Sequence, residues 1–390
     1  MNTADTIPEP RGFRSLGKSV GIKANNQPDL AIVVSDAPCT SAAVFTQSMF
    51  CGPSIVVGRA HAKSASLQAI IVTSGIANVA TGDQGLANAR ELSELVGKAV
   101  GIAPERVLPA STGVIGWQLP MDKIRSGMSG INSELAPGRL AMAAHAIMTT
   151  DTHAKFRSAA VGSATLFGMV KGSGMIEPNL ATMLAFFFTD AKIPAATLDL
   201  VFKRAVDLSF NRISVDSDTS TSDTVAILAN GLAGVVDPAA FEHALTELAT
   251  DLAKDIVRYG EGATKLIVVR VEGARSVEQA RRIAKLIVNS PLVKTAVYGC
   301  DPNWGRVAMA VGKSYDPDVD PSRVRIGFGE LILYDGRPVE HEKALESLRD
   351  YLASTEVRIF VDLGVGRESA TVWGCDLTEQ YIHINASYTS

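Results

Sequence analysis

Little in this sequence offers a quick route to a function. The four cysteines (Cys39, Cys51, Cys300 and Cys375) are spread along 390 residues with no Cys-x-x-Cys pair. That spacing gives neither a zinc ribbon nor a disulfide framework, so the thiols are read as reduced and packed inside. The six histidines (His61, His145, His153, His243, His341 and His383) show no HExxH or HxxxH spacing, which leaves a metal site and a histidine-based triad unsupported. No apolar run approaches the roughly 20 residues of a membrane helix. Lys and Arg number 37 against 41 Asp and Glu, a net charge of −4 at pH 7. No block of one sign is present to grip nucleic-acid phosphates. The first ten residues, Met1 to Pro10, lack both a basic region and an apolar core. The expectation is a cytoplasmic protein without a secretion signal or transit peptide.

What is present is an ordinary globular composition, 46% apolar and 20% charged. A chain of 390 residues is long enough for two domains. Short apolar runs alternate with amphipathic stretches, a mixed α/β pattern. Strands are expected over Ala31–Val34, Ser54–Val57, Gln68–Thr73, Arg106–Pro109, Ala164–Lys171 and Met183–Thr189. Helices are expected over Gln84–Val100, Arg139–Met148, Ala195–Leu208 and Pro238–Tyr259. The last of these carries Phe241, Leu245, Leu248, Leu252 and Ile256 at helical spacing, with Pro238 at its start and Gly260 at its end. A second α/β unit follows: a strand over Lys265–Val271, a helix over Val277–Val288, a strand pair over Arg323–Tyr334, a helix over His341–Ala353, then strands over Val357–Asp362 and Thr371–Gly374. The boundary is set at 275, within Gly273–Ser276, giving domains 1–275 and 276–390.

Three nucleotide- or metal-like motifs fail on inspection. Gly312-Lys-Ser314 ends as a P-loop does, but Val307 stands where its first glycine belongs. Gly364-Val-Gly366 lacks a third glycine at the right place. The run from Asp216 to Thr224 is rich in oxygen ligands but has neither the glycine nor the terminal glutamate of an EF-hand loop. It reads as a hydrogen-bonded turn entering a buried strand at Val225–Leu228.

Two segments carry candidate chemistry. In the first, a glycine turn at Lys171-Gly-Ser-Gly174, a rigid bend at Pro178 and an Ala181-Thr182 junction precede an apolar run. Threonine is a poor nucleophile unless a base adjoins it, and cutting the chain before Thr182 would make its own amine that base. In the second, Ala110-Ser-Thr-Gly-Val-Ile-Gly116 admits two readings, a strand-to-helix turn or an oxyanion hole built from a hydroxyl and a backbone N–H.

These segments, together with Ile147–Thr152, Phe210–Asp216, Tyr259–Lys265, Asp301-Pro-Asn-Trp-Gly-Arg306 and the end Asn385–Ser390, resemble the ornithine acetyltransferase (glutamate N-acetyltransferase) family in order and over nearly the whole chain. The resemblance implies an αββα sandwich of the self-cleaving Ntn-like (DmpA-like) type with a smaller C-terminal α/β domain whose tail returns to the active site. It implies cleavage between Ala181 and Thr182 into chains 1–181 and 182–390, which stay associated as α2β2 or larger. Thr182 becomes the nucleophile, and Thr112 with Gly113 the oxyanion hole. Thr150, Thr152, Lys171, Thr182, Glu261, Asn385 and Ser390 become substrate contacts. Acetyl would pass from N2-acetylornithine to Thr182 and then to glutamate, with no cofactor. Acetyl-coenzyme A, a donor in bifunctional relatives, stands as an alternative source.

The chain departs from the usual family pattern at Ile76, Val79-Ala80, Ser222 and Cys300. These positions resemble paralogues of clavulanic-acid clusters, and they put the acceptor and pathway at issue while leaving the nucleophile intact. Two other classes stay open: a related self-processing amidase or aminopeptidase that releases acyl to water, and a non-catalytic homologue. Glutamate-independent acetate release would favour the former, and an uncut chain the latter.

Overall fold

A computed structural model describes residues 7–177, 183–340 and 344–387. Along the chain, strands β1 (Phe13–Lys18), β2 (Leu30–Ser35) and β3 (Thr40–Phe45) lead to helix α1 (Pro53–Ala62), strand β4 (Ala69–Ile76), helix α2 (Gly82–Val100) and strand β5 (Val107–Val114). Three short helices follow, α3 (Met121–Gly127), α4 (Ile131–Glu134) and α5 (Leu140–Ala146). Then come β6 (Lys155–Val161), β7 (Ala164–Lys171), β8 (Leu184–Lys192), α6 (Ala195–Leu208), β9 (Ile213–Ser214), β10 (Thr224–Val235) and α7 (Pro238–Arg258). The remainder is β11 (Leu266–Ala274), α8 (Val277–Val288), α9 (Pro291–Tyr298), α10 (Trp304–Gly312), β12 (Arg325–Phe328), β13 (Leu331–Asp335), α11 (Ala344–Leu352), β14 (Glu356–Asp362), β15 (Glu368–Cys375) and α12 (Glu379–Ser387).

Two sheets stack face to face. One has the order β1-β2-β4-β5 and the other β3-β10-β8-β7-β6. The alternation of side chains across each strand explains the stack. On β8, Leu184, Phe186 and Phe188 point into a core shared with Ala31 and Val33 of β2 and Ile70 and Val72 of β4. Ala185 and Phe187 point the other way, against Leu198 and Phe202 of α6 and Phe241, Leu245 and Leu252 of α7. On the far side of the first sheet, Ile32 and Ile71 pack under Leu92 and Val96 of α2 and Ile124 of α3. The layers therefore run helix, sheet, sheet, helix: an αββα sandwich. Strands buried on both faces read as continuous apolar runs, and β8 is one.

The third sheet, β13-β12-β14-β11-β15-β9, encloses its own core with Ile283 and Ile287 of α8 and Val307 of α10. The expected boundary at 275 falls just after β11, yet β11 lies inside this sheet, between β14 and β15. Both neighbours come from the last quarter of the chain, and their pairing draws β11 into the C-terminal unit. The two-residue β9 extends the same sheet from the sandwich side.

Most expected elements recur within a residue or three, and α6 and α8 span the expected residues. At α7, Asp237 caps the first turn by accepting from the Ala240 N–H at 3.0 Å, an arrangement contributing about 1 kcal/mol. Ser54–Val57 is a correction. This β-branched run lies in helix α1, because Gly52 and Pro53 supply an N-cap and a first-turn proline. The Arg106–Pro109 strand runs on through Val114, so Ala110–Val114 is strand and not the start of a turn. Among the described residues, no helix is long and apolar enough to cross a membrane, and all four cysteines are free.

Candidate active site

A cavity of about 290 Å³ opens where the two sandwich sheets and the C-terminal tail meet. Strand β5 contributes Thr112, Gly113 and Val114, and β7 contributes Lys171. Gly174, Met175 and Ile176 come from the turn after β7, and Met183 and Leu184 from the entry to β8. Ser220 to Asp223 approach ahead of β10, Glu261 follows α7, and Asn385 projects from α12. Six residues expected at a site (Thr112, Gly113, Thr150, Lys171, Glu261 and Asn385) thus share one cavity. Thr152 is not among its lining residues; it is exposed, with Oγ1 2.8 Å from His153 Nδ1. Ala181, Thr182 and Ser390 lie outside the described residues.

Gly113 is required by its backbone. Its φ is +129°, and a Cβ there would stand 2.2 Å from the carbonyl carbon of Gly75 on β4. Only glycine satisfies both the conformation and the contact. Thr112 is buried beside it. On the opposite face of β5, Ser111 Oγ bonds Thr73 Oγ1 at 2.9 Å and Ser54 Oγ at 3.1 Å. That hydroxyl chain ties β5 to β4 and α1 and holds the Thr112-Gly113 pair in place.

The floor is built on Asp151. Its Oδ1 accepts from Lys155 Nζ at 2.6 Å and from the Gly172 N–H at 2.8 Å, and its Oδ2 from the Thr149 N–H at 3.1 Å. One carboxylate thereby fixes both the Thr149-Thr150 loop and the end of β7. Thr150 Oγ1 then meets Ser173 Oγ at 2.7 Å. Burial alone would raise the pKa of Asp151. The charges of Lys155 and Lys171, with the Lys155 and Gly172 hydrogen bonds, outweigh it and hold the group at about 2. Lys171 is lowered from the usual lysine value by its desolvation, with Asp151, Asp223 and Glu261 opposing that shift.

The tail wall is assembled by a second set of acids. Asp216 accepts from the Met175 N–H at 2.7 Å and the Ile176 N–H at 2.8 Å, and from the Tyr381 hydroxyl of α12 at 3.3 Å. Asn385 Nδ2 donates to Glu261 Oε2 at 3.0 Å, and the Glu261 N–H donates to Ser173 O at 2.7 Å. Thr378 Oγ1 donates to Gly262 O at 2.7 Å, anchoring the start of α12. Gly174 lies flat against Glu261, since a Cβ there would stand 2.4 Å from Oε2.

Sequence reasoning passed over three residues here. Asp151 sat inside the Thr-Asp-Thr run with no role given to it. Asp216 and Asp223 lie in the run read as a hydrogen-bonded turn, with no role at the site expected of either side chain. The available signal was position: Asp223 directly precedes the buried strand β10, where an acid has to find partners or lose its charge. Burial raises its pKa well above the usual carboxylate range, against the Ser220 and Thr46 hydroxyls and the Lys171 charge. Two departures also take a location. Ser222 lines the cavity, and Ile76 lines an adjoining pocket that shares Val114, Thr149 and Thr150 with it.

The arrangement offers a hydroxyl and an N–H on one strand, a lysine, an acid–amide pair and a buried acid around one space. Such a space can hold an amino acid and stabilise an oxyanion. Comparison with known proteins agrees in extent. The ArgJ family model matches residues 14–390. Arginine biosynthesis bifunctional protein ArgJ 2 of Clostridium acetobutylicum is 52% identical over 381 residues, 97% of this chain and 98% of that protein. Glutamate N-acetyltransferase Oat2 of Streptomyces clavuligerus is 48% identical over 393 residues, 99% of this chain and 100% of that protein. Among solved structures, Arginine biosynthesis bifunctional protein argJ of Bacillus halodurans aligns at 42% identity with a TM-score of 0.49, over 51% of this chain and 96% of that one. A family model spanning residues 14–390 and sequence identity near one half over nearly the whole chain leave one assignment: the chain belongs to the ArgJ family.

Proposed function

We propose that this protein is a glutamate N-acetyltransferase. It carries acetyl from N2-acetylornithine to glutamate through an ester on Thr182, after the chain cuts itself between Ala181 and Thr182. The observation that carries the reading is the convergence of Thr112, Gly113, Lys171, Glu261 and Asn385 on a cavity whose wall includes Met183, the neighbour of Thr182. The relatives' names, arginine biosynthesis and glutamate N-acetyltransferase, support it.

On this reading the freed α-amine of Thr182, with an unperturbed pKa of roughly 7.7–8.0, takes the hydroxyl proton as the oxygen attacks the acetyl carbonyl. Thr112 Oγ1 and the Gly113 N–H receive the oxyanion. Lys171 pairs with a substrate carboxylate, and Glu261, steadied by Asn385, with an ammonium. Chains 1–181 and 182–390 stay associated, as α2β2 or larger. No cofactor takes part, and acetyl-coenzyme A is a second donor to be assayed separately.

The test is a donor and acceptor panel on processed protein. Parallel double-reciprocal lines and an acetyl adduct on Thr182 by mass spectrometry are expected. Rapid acetate release without glutamate would replace the transferase reading with a hydrolase.

A further inference from the structure

Among the described residues that line the cavity, Asp223 is the acid that the reaction just described leaves idle. It is 2% exposed, and its Oδ2 has no hydrogen-bond partner among the described residues. Its place is set by the strand ladder. The Thr224 N–H donates to Met183 O at 3.0 Å, and Thr224 pairs with Leu184 in the parallel β10–β8 register. Asp223 therefore stands beside the entry to β8, next to the residue that follows Thr182. Among the described residues, the charged groups sharing the cavity with it are Lys171 from β7 and Glu261 from the segment after α7.

The acetyl transfer has a proton requirement that the Thr182 amine alone does not meet. When the donor amide breaks, ornithine leaves as an ammonium, so its nitrogen takes up two protons. One comes from the Thr182 hydroxyl. In the other half, glutamate arrives as an ammonium and gives up two protons. One rebuilds the hydroxyl. Each cycle thus needs one proton lent in the first half and returned in the second.

Resting on the transferase reading above, we propose that Asp223 is a catalytic residue that lends and recovers this proton, its free Oδ2 facing the nitrogen that leaves in one half and attacks in the other. In the first half the N–C bond breaks and the Oγ–C bond forms. The Asp223 carboxylic acid protonates the departing nitrogen and becomes a carboxylate. In the second half that carboxylate takes a proton from the incoming ammonium. The N–C bond then forms, the Oγ–C bond breaks and the hydroxyl is restored. No proton is gained or lost over the cycle. Burial shifts Asp223 toward the protonated form, the form that can lend a proton.

Asp223→Asn tests this, because the amide keeps the shape and neutrality but has no proton to lend. The expected result is a kcat roughly 100- to 10,000-fold lower, with KM for N2-acetylornithine within a few-fold and an unchanged thermal midpoint. A folded variant that stays uncut cannot run the cycle, and the infrared measurement that follows then decides. Wild-type kcat with an unaltered pH profile would overturn the role. If the variant does not fold, infrared difference spectra of the unmodified protein decide. A protonated-carboxyl stretch at pH 7 that responds to N2-acetylornithine supports the role, and its absence defeats it. The acetyl adduct of the unmodified protein is measured first. Its absence defeats the transferase reading, whereas normal transfer beside an equally fast variant defeats only Asp223.

Discussion

Lys155 Nζ and Asp151 Oδ1 stand 2.6 Å apart with side chains 1% and 0% exposed, a buried ion pair directly beneath the cavity floor. The same carboxylate holds the backbone at Thr149 and Gly172. Its removal would leave Lys155 without its partner and Lys171 without one of the three acids around it. Asp151→Asn is therefore expected to lose about 3–5 kcal/mol in denaturant unfolding, and to raise KM as the Thr149-Thr150 loop loosens. Unchanged stability would show that water or another acid satisfies Lys155.

The same pair sets an acid limit. Asp151 has a folded pKa of about 2, below its ordinary value of 3.8. A depressed carboxylate stabilises the fold fully above its unfolded pKa, and that contribution fades as pH falls through about 2. Unfolding free energy measured between pH 5 and 2 should fall less steeply in Asp151→Asn than in the unmodified protein.

Gly113→Ala places a Cβ against Gly75 at a φ of +129°. The strand end must shift, and with it the N–H proposed to face the oxyanion. A loss of ~100–1000-fold in kcat is expected, with KM changing little. Activity within a few-fold of normal would remove Gly113 from the oxyanion hole.

Asn385→Ala frees the Glu261 carboxylate from its 3.0 Å partner on α12. A charge-assisted hydrogen bond contributes about 1.5–3 kcal/mol, so KM for N2-acetylornithine should rise roughly 10- to 100-fold. An effect on kcat alone would place Asn385 in the chemical step instead.

Thr182→Ala should leave an uncut chain of 41.2 kDa on a denaturing gel. Normal processing in that variant would move the cleavage site elsewhere.

Local pattern and cap chemistry determine much of this protein. The helical period of Phe241, Leu245, Leu248 and Leu252 yields α7, and the uninterrupted apolar run at Leu184–Phe188 yields a strand buried on both faces. Residues in contiguous segments, Lys171 and the Thr112-Gly113 pair, were likewise visible as candidates. Local pattern misled where a cap outweighed propensity, as at Pro53 and the β-branched residues after it. The tertiary structure alone decided which distant groups meet. It set Asp216 against Tyr381 and Asn385 against Glu261, drew β11 into the C-terminal sheet, and brought Asp223 beside Met183. Those outcomes depend on sheet stacking, long-range register and burial. The charge state of a buried acid follows from what surrounds it in space, which its sequence neighbours do not specify.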